Sequence, residues 1–322
     1  MHARMDEELS LIIIGGGVAA CTAGMFAGRR GLTTLLLAKD LGGQTASTSE
    51  IDNYPGVGRI EGPHLIQLFA DQARSVGCMF LFHEAVGISH DGGMFTVQTA
   101  NSAYRSDAVI CAFGKTPKSL MIQGEEQFIG RGLHYCNSYD VDQYRDKTVA
   151  VVGGGNSALG LVRRLAPIAR RIYLIHRRDE FRGEQILCEY LETIPNCEKK
   201  IHSIVTELHG NDCLNSITVR DMHTQTEERL EVEGLFIGIG FESRSDVFRE
   251  FIQCDSAGRI LIDQQCKTSR EGVFAAGDCT TTPYQQIIIS AGEGAKAAIS
   301  AYQYISKKKG TRPLQVDWGF IY

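Results

Sequence analysis

With 322 residues, the chain is long enough for two domains with separate cores. Its 43% hydrophobic content is ordinary for a globular protein, and a net charge of −5 excludes the global basic field of a nucleic-acid binder. No apolar run reaches the ~18 residues of a membrane span, and Met1 to Ser10 carries no signal-peptide pattern, so a cytoplasmic protein is expected.

In chain order, Leu11-Ile12-Ile13-Ile14 reads as a buried parallel strand that runs straight into Gly15-Gly16-Gly17-Val18-Ala19-Ala20. A helix and a second β-rich run, Thr33 to Ala38, should follow. The same order returns later: the strand Thr148 to Val152, then Gly153-Gly154-Gly155-Asn156-Ser157-Ala158, a helix, and the β-rich run Arg171 to His176. A strand–turn–helix–strand unit therefore occurs twice. Its physical logic is that of a dinucleotide fold. The first glycine makes a tight turn, the second admits a pyrophosphate, and the third small residue lets helix pack on strand, with the helix N-terminus facing the phosphates. Alanine takes the third place in both units, as Ala20 and Ala158.

Near the C-terminus, Gly272-Val273-Phe274-Ala275-Ala276-Gly277-Asp278 reads as a strand ending in an acidic residue at a cofactor. The second unit would then be an insertion within the first domain. The run Lys307-Lys308-Lys309-Gly310 marks the end of the last helix. Ten cysteines are scattered along the chain without a single Cys-x-x-Cys, which argues against zinc or iron–sulfur and for reduced thiols. No metal site is expected.

These residues carry a family resemblance over about Leu9 to Tyr304. The chain resembles the low-molecular-weight thioredoxin reductases and the reductase portion of the alkyl hydroperoxide reductase flavoprotein subunit. The carriers are Gly15 to Ala20, Gly42-Gly43-Gln44, Ile51-Asp52-Asn53-Tyr54-Pro55-Gly56, Gly153 to Ala158, His176-Arg177-Arg178-Asp179-Glu180-Phe181-Arg182, and Gly277-Asp278-Cys279-Thr280-Thr281-Thr282-Pro283-Tyr284 with Gln285 and Gln286. The resemblance implies an α/β fold of two Rossmann-like dinucleotide-binding domains. An NADPH domain, residues 119–245, is inserted into a discontinuous FAD domain, residues 1–118 and 246–322. It also implies a homodimer.

By the same resemblance, Gly15, Gly17 and Ala20 would face the FAD pyrophosphate. Gly43, Gln44 and Asn53 would lie on the flavin side, Asp278 at the ribityl–phosphate region, and Gln286 with Ile287 against the ring. Gly153, Gly155, Asn156, Ser157 and Ala158 would hold the NADPH pyrophosphate, and His176, Arg177, Arg178 and Arg182 its 2′-phosphate. A dianionic phosphate favours the planar, always-charged fork of arginine. NAD would instead favour an acidic residue at the ribose.

The chain departs from the family at Cys136-Asn137-Ser138-Tyr139-Asp140, where relatives carry Cys-x-x-Cys-Asp. Tyr139 has no sulfur to form the disulfide that relatives use. Cys136 and Asp140 keep the places of the outer thiol and the acid, as working groups or as relics. Phe113 replaces the usual threonine of Ala-Thr-Gly. Cys279 and Cys21 read as structural. The segment 310–322 holds the only tryptophan, and Trp318, Phe320 or Tyr322 either covers the flavin, meets a partner subunit or packs on the domain surface.

The expected activity is an NADPH-dependent FAD oxidoreductase that passes electrons directly from flavin to an external acceptor: a small redox protein, free flavin, quinone or oxygen. Two alternatives stand beside it. One is a single-thiol reductase of low-molecular-weight disulfides using Cys136, and the other is a flavoprotein that senses or binds without turnover.

Overall fold

A computed structural model describes residues 8–135, 141–243 and 245–313. The chain divides into two compact units, Met1–Thr116 with Ser243–Tyr322 and Pro117–Glu242.

The first unit is built on a seven-stranded sheet. Its central strand, Leu9–Ile14, pairs in parallel with Thr34–Leu37 on one side and Ala103–Cys111 on the other. Met79–Leu81 extends the first edge, while Val273–Ala275 joins Ala103–Cys111 in parallel from far along the chain. The hairpin Ala85–Asp91 and Met94–Thr99 adds antiparallel strands. The register aligns Ile14 with Leu37 and Cys111, and Cys111 with Ala275. Four parallel strands thus end together, and loops at such ends are where α/β sheets bind ligands.

The parallel strands are apolar where both faces are covered, as over residues 11–14 and 108–111, whereas the first half of Ala103–Cys111 carries Arg105, Ser106 and Asp107. Leu11, Ile13, Leu36, Ile110 and Phe274 pack on the helical face. Ile12, Ile14, Leu35, Leu37 and Val109 pack on the other, with Phe95 and Phe248. The helix Val18–Gly28 carries mostly small residues and is buried almost all round. Close packing explains this composition. A methyl group on Gly294, in the last helix Ile287–Lys308, would collide with the carbonyl oxygen of Ala19, so the two helices cross at backbone distance.

In the second unit, Thr148–Val152 lies between Arg171–Ile175 and Gly234–Ile237, with Cys197–Lys200 and Leu133–Tyr135 at the edges. All these pairings are parallel. The helix Asn156–Leu165 lays Ala158, Leu159, Val162 and Leu165 on one face of the sheet. A three-stranded antiparallel sheet, Ser203–Gly210, Leu214–Asp221 and Glu227–Glu231, belongs to the same unit. Its Val205, Ile217, Val219 and Leu230 pack with Ala150, Tyr173 and Ile175 of the parallel sheet. Among the described residues no helix is long and apolar enough to cross a membrane, and no cluster of His, Cys, Asp or Glu could hold a metal.

Candidate active site

In the first unit, the glycine turn after Leu9–Ile14 has the shape that a pyrophosphate requires. Gly15 sits at φ +131°, and a methyl group there would collide with the carbonyl oxygen of Ala112. Gly17 is the N-cap of Val18–Gly28 and makes no side-chain cap. No acidic residue lies in the first turn, and beyond the Gly17 Cα the nearest atom to a would-be methyl is the Gly42 carbonyl oxygen at 4.0 Å. This is an uncapped helix N-terminus opening on clear space, so the residues fit an anionic group. Ala20 is fully buried against the core.

Residues far apart in sequence meet beside this turn. The Gly42 N–H donates to the Gly16 carbonyl at 2.8 Å, joining the two glycine loops. Gly43 opens the short helix Gly43–Ala46, and the Gln44 side-chain amide reaches Asp278 Oδ2 and the Lys115 carbonyl, each at 3.4 Å. Asn53 donates to the side-chain carbonyl of Gln286 at 3.2 Å, just before Ile287 opens the last helix. The Ser290 hydroxyl donates to Asp278 Oδ1 at 3.2 Å. Burial pushes the Asp278 carboxyl above its ordinary range, opposed by Ser290, Lys115 and Gln44. Burial also pushes the neighbouring Lys115 ammonium down.

Several of these partners escape a motif reading. Lys115 lies outside every glycine motif. Ser290 and Glu293 sit one turn apart in Ser-Ala-Gly-Glu-Gly-Ala, where Glu293 is the one charge in a run of small residues. That isolated charge was the available signal. Phe113 stacks on Phe248 with ring centroids 5.2 Å apart, which is how its bulk is accommodated.

The second unit repeats the turn. Gly153 sits at φ +143°, where a methyl group would strike the Gly238 carbonyl. Gly155 caps Asn156–Leu165 without a side-chain bond, no acidic residue lies in the first turn, and the space beyond its Cα is open. Ser157 is exposed and Ala158 buried. Asn156 is engaged with the loop opposite: its Nδ2 donates to Glu184 Oε1 at 2.8 Å, and its Oδ1 accepts the Glu184 N–H at 2.7 Å.

His176 is buried, with Nε2 3.0 Å from the Glu180 carbonyl and its ring against Gly154. Burial pushes its pKa down, the bond to Glu180 opposes that, and Arg177 and Arg182 push it further down. An uncharged imidazole propping the turn follows from this setting. Arg177 and Arg182 are exposed and Arg178 half-buried. None of the three is paired with a carboxylate among the described residues, so their charge is uncommitted. That set suits a phosphate dianion.

The nine described cysteines are all free thiols. Burial pushes Cys21 and Cys279 up to about 12, and Cys111 well above the ordinary range. Cys279 donates to the carbonyls of Cys111 and Ala276, at 3.5 and 3.4 Å. These are packing groups rather than nucleophiles. Cys136, Tyr139 and Asp140, and likewise Trp318, Phe320 and Tyr322, lie outside the described residues.

Two glycine turns, each opening an uncapped helix, suit two dinucleotides. Residues 9–298 match the family described as pyridine nucleotide-disulphide oxidoreductase. The chain belongs to that family. Among curated relatives, the thioredoxin reductase of Peptoclostridium acidaminophilum is 33% identical over 94% of this chain and 98% of its own length. An alkyl hydroperoxide reductase component of Pseudomonas putida is also 33% identical over 93% of this chain, which spans only 58% of that protein. Among solved structures, thioredoxin reductase of Lactococcus lactis is similar with a TM-score of 0.78 and 30% identity, covering 93% of this chain and all of that one.

This pyridine nucleotide-disulphide oxidoreductase is therefore of the thioredoxin reductase type, whose members are FAD-dependent and use NADPH. The α/β fold with Rossmann-like parallel sheets that the sequence motifs imply is the fold found.

Proposed function

We propose that this chain is an NADPH-dependent FAD oxidoreductase that reduces an external acceptor without a protein dithiol. The observation that carries the reading is Tyr139 in the sequence Cys136-Asn137-Ser138-Tyr139-Asp140. A disulfide needs two sulfurs whose Cβ atoms lie about 3.5–4.5 Å apart. The chain has no Cys-x-x-Cys to provide them. Burial pushes seven of the nine described thiols upward, which leaves them poor substitutes.

In this reading the FAD domain comprises residues 1–118 and 246–322, and the NADPH domain residues 119–245. Gly15, Gly17 and Ala20 hold the FAD pyrophosphate, with Gly43, Gln44, Asn53, Asp278, Gln286 and Ile287 along the rest of that cofactor. Gly153, Gly155 and Ala158 hold the NADPH pyrophosphate, with Ser157 beside them. Arg177, Arg178 and Arg182 take the 2′-phosphate, while Asn156 and His176 shape the turn. What supports these roles is the open helix N-termini and the guanidinium groups that have no carboxylate partner among the described residues. When bound, FAD supplies the two-electron chemistry, and the protein supplies binding, orientation and charge.

The acceptor belongs to the class of small redox proteins, free flavins, quinones or oxygen. The competing reading makes Cys136 a single working thiol for low-molecular-weight disulfides. An anaerobic titration with NADPH, followed by turnover of Cys136→Ser, separates them. The expected result is bleaching of the flavin absorbance at about one equivalent, with turnover unchanged in Cys136→Ser. Loss of turnover in that variant would establish the single-thiol reading.

A further inference from the structure

The last helix holds a buried carboxylate to which no motif assigns work. Glu293 is 5% exposed. Its Oε2 accepts the backbone N–H of Gly277 at 2.7 Å, and its Oε1 accepts the hydroxyl of Thr282. Thr280 continues the set, bonding the Gly277 carbonyl at 2.9 Å and the Thr282 hydroxyl at 3.1 Å. One side chain thus grips both ends of the turn 277–282.

This turn carries Asp278. Gly277 sits at φ +78°, and a methyl group on it would lie 3.1 Å from the Ala19 side chain and 3.5 Å from the Ser290 hydroxyl. The turn is wedged between the first helix and the last. Next to Glu293, Gly294 brings the last helix onto the backbone of Ala19. Glu293 therefore stands where the glycine turn, the acidic turn and the last helix converge, one turn of helix from Ser290, which bonds Asp278 directly.

We propose that Glu293 is a positioning residue for the FAD site. Its carboxylate fixes the Gly277–Asp278 peptide, and through it the direction of the Asp278 carboxyl. The inference rests on the FAD-site reading above. A buried N–H of this kind must find an acceptor, and here the acceptor comes from the helix that borders the site. Ser290 and Gln44 then meet Asp278 in a fixed place rather than each selecting its own.

The test measures FAD affinity of flavin-stripped protein by quenching of flavin fluorescence, with the visible circular dichroism of the bound flavin as a second readout. Glu293→Ala should weaken FAD by roughly 5- to 150-fold, the range for an unpaired buried donor. Glu293→Gln keeps an acceptor for Gly277 and should stay within about threefold of the parent, with the same dichroism. Ser300→Ala, which removes a buried hydroxyl two turns further along the same helix, should leave affinity unchanged. If Glu293 acts through Asp278, the double variant Glu293→Ala/Asp278→Ala should bind FAD like Asp278→Ala alone.

Additive losses, an unchanged affinity in Glu293→Ala, or a Gln variant as weak as the Ala variant would each overturn the proposal. Should Glu293→Ala fail to fold, Thr282→Val carries the test: a smaller loss in the same direction supports the proposal, and no loss overturns it. An unchanged affinity in Asp278→Ala would instead remove the FAD-site reading itself, and this inference with it.

Discussion

Arg177, Arg178 and Arg182 show how much a short motif can say about chemistry. Three guanidinium groups follow the strand Arg171–Ile175 within seven residues, and none has a carboxylate to neutralise it among the described residues. Uncommitted charge of that density implies a multiply charged partner. Replacing Arg178 with Ala should raise the KM for NADPH roughly tenfold or more, as for a lost charged hydrogen bond, with little change for NADH. Steady-state kinetics with both nucleotides would check this, and equal losses for the two would refute the phosphate role. Other residues were not legible in this way. Asn156 reads as a phosphate ligand within its glycine motif, yet it is bonded to Glu184, 28 positions away. His176 heads the basic motif but props Gly154 from a buried position. Motifs report residue type, whereas the partner of a polar side chain depends on a distant loop.

At the level of elements, the strands before the glycine turns were plain in sequence, because a strand covered on both faces is a continuous apolar run. Thr148–Val152 is one such strand. The antiparallel sheet of residues 203–231 gave no comparable signal, since its outer strands Ser203–Gly210 and Glu227–Glu231 are largely exposed or half-buried and the pairing of the first is interrupted by register shifts. The crossing of the last helix on the first was equally hidden. It depends on Gly294 meeting Ala19, which no local pattern announces.

The short strand Leu133–Tyr135 carries the clearest pH dependence. Its His134 is buried, bonded through Nε2 to Tyr144 and packed on Phe236, and burial pushes its pKa from 6.5 down to about 4. The unfolded chain therefore takes up this proton first as the pH falls. The contribution to stability is fully present above pH 6.5 and drains away toward pH 4. Urea midpoints should decline over that interval, and His134→Gln should flatten the decline while lowering stability at neutral pH. An unaltered slope in the variant would exclude His134 as its source.

For the whole molecule, two units with separate cores imply two partly independent stabilities. If the cofactors divide between them as proposed, each ligand should stabilise its own unit. Calorimetry of the flavin-stripped protein should resolve two transitions. A thousandfold excess of FAD over its Kd should add about 4 kcal/mol to one of them, and NADP⁺ should raise the other. A single transition raised alike by both ligands would count against the division.

The strand Val273–Ala275 enters the first sheet from more than 160 residues beyond its neighbour Ala103–Cys111. During synthesis this has a consequence. The segment Pro117–Glu242 is contiguous and leaves the ribosome with every strand of its own sheets present. The N-terminal strands emerge earlier but must wait for Val273–Ala275 and for the helix that follows. The order of assembly therefore inverts the order of the chain: the inserted unit is the first able to fold, and, if the flavin is held as proposed, it can be taken up only after Val273–Ala275 and the helix Ile287–Lys308 have emerged.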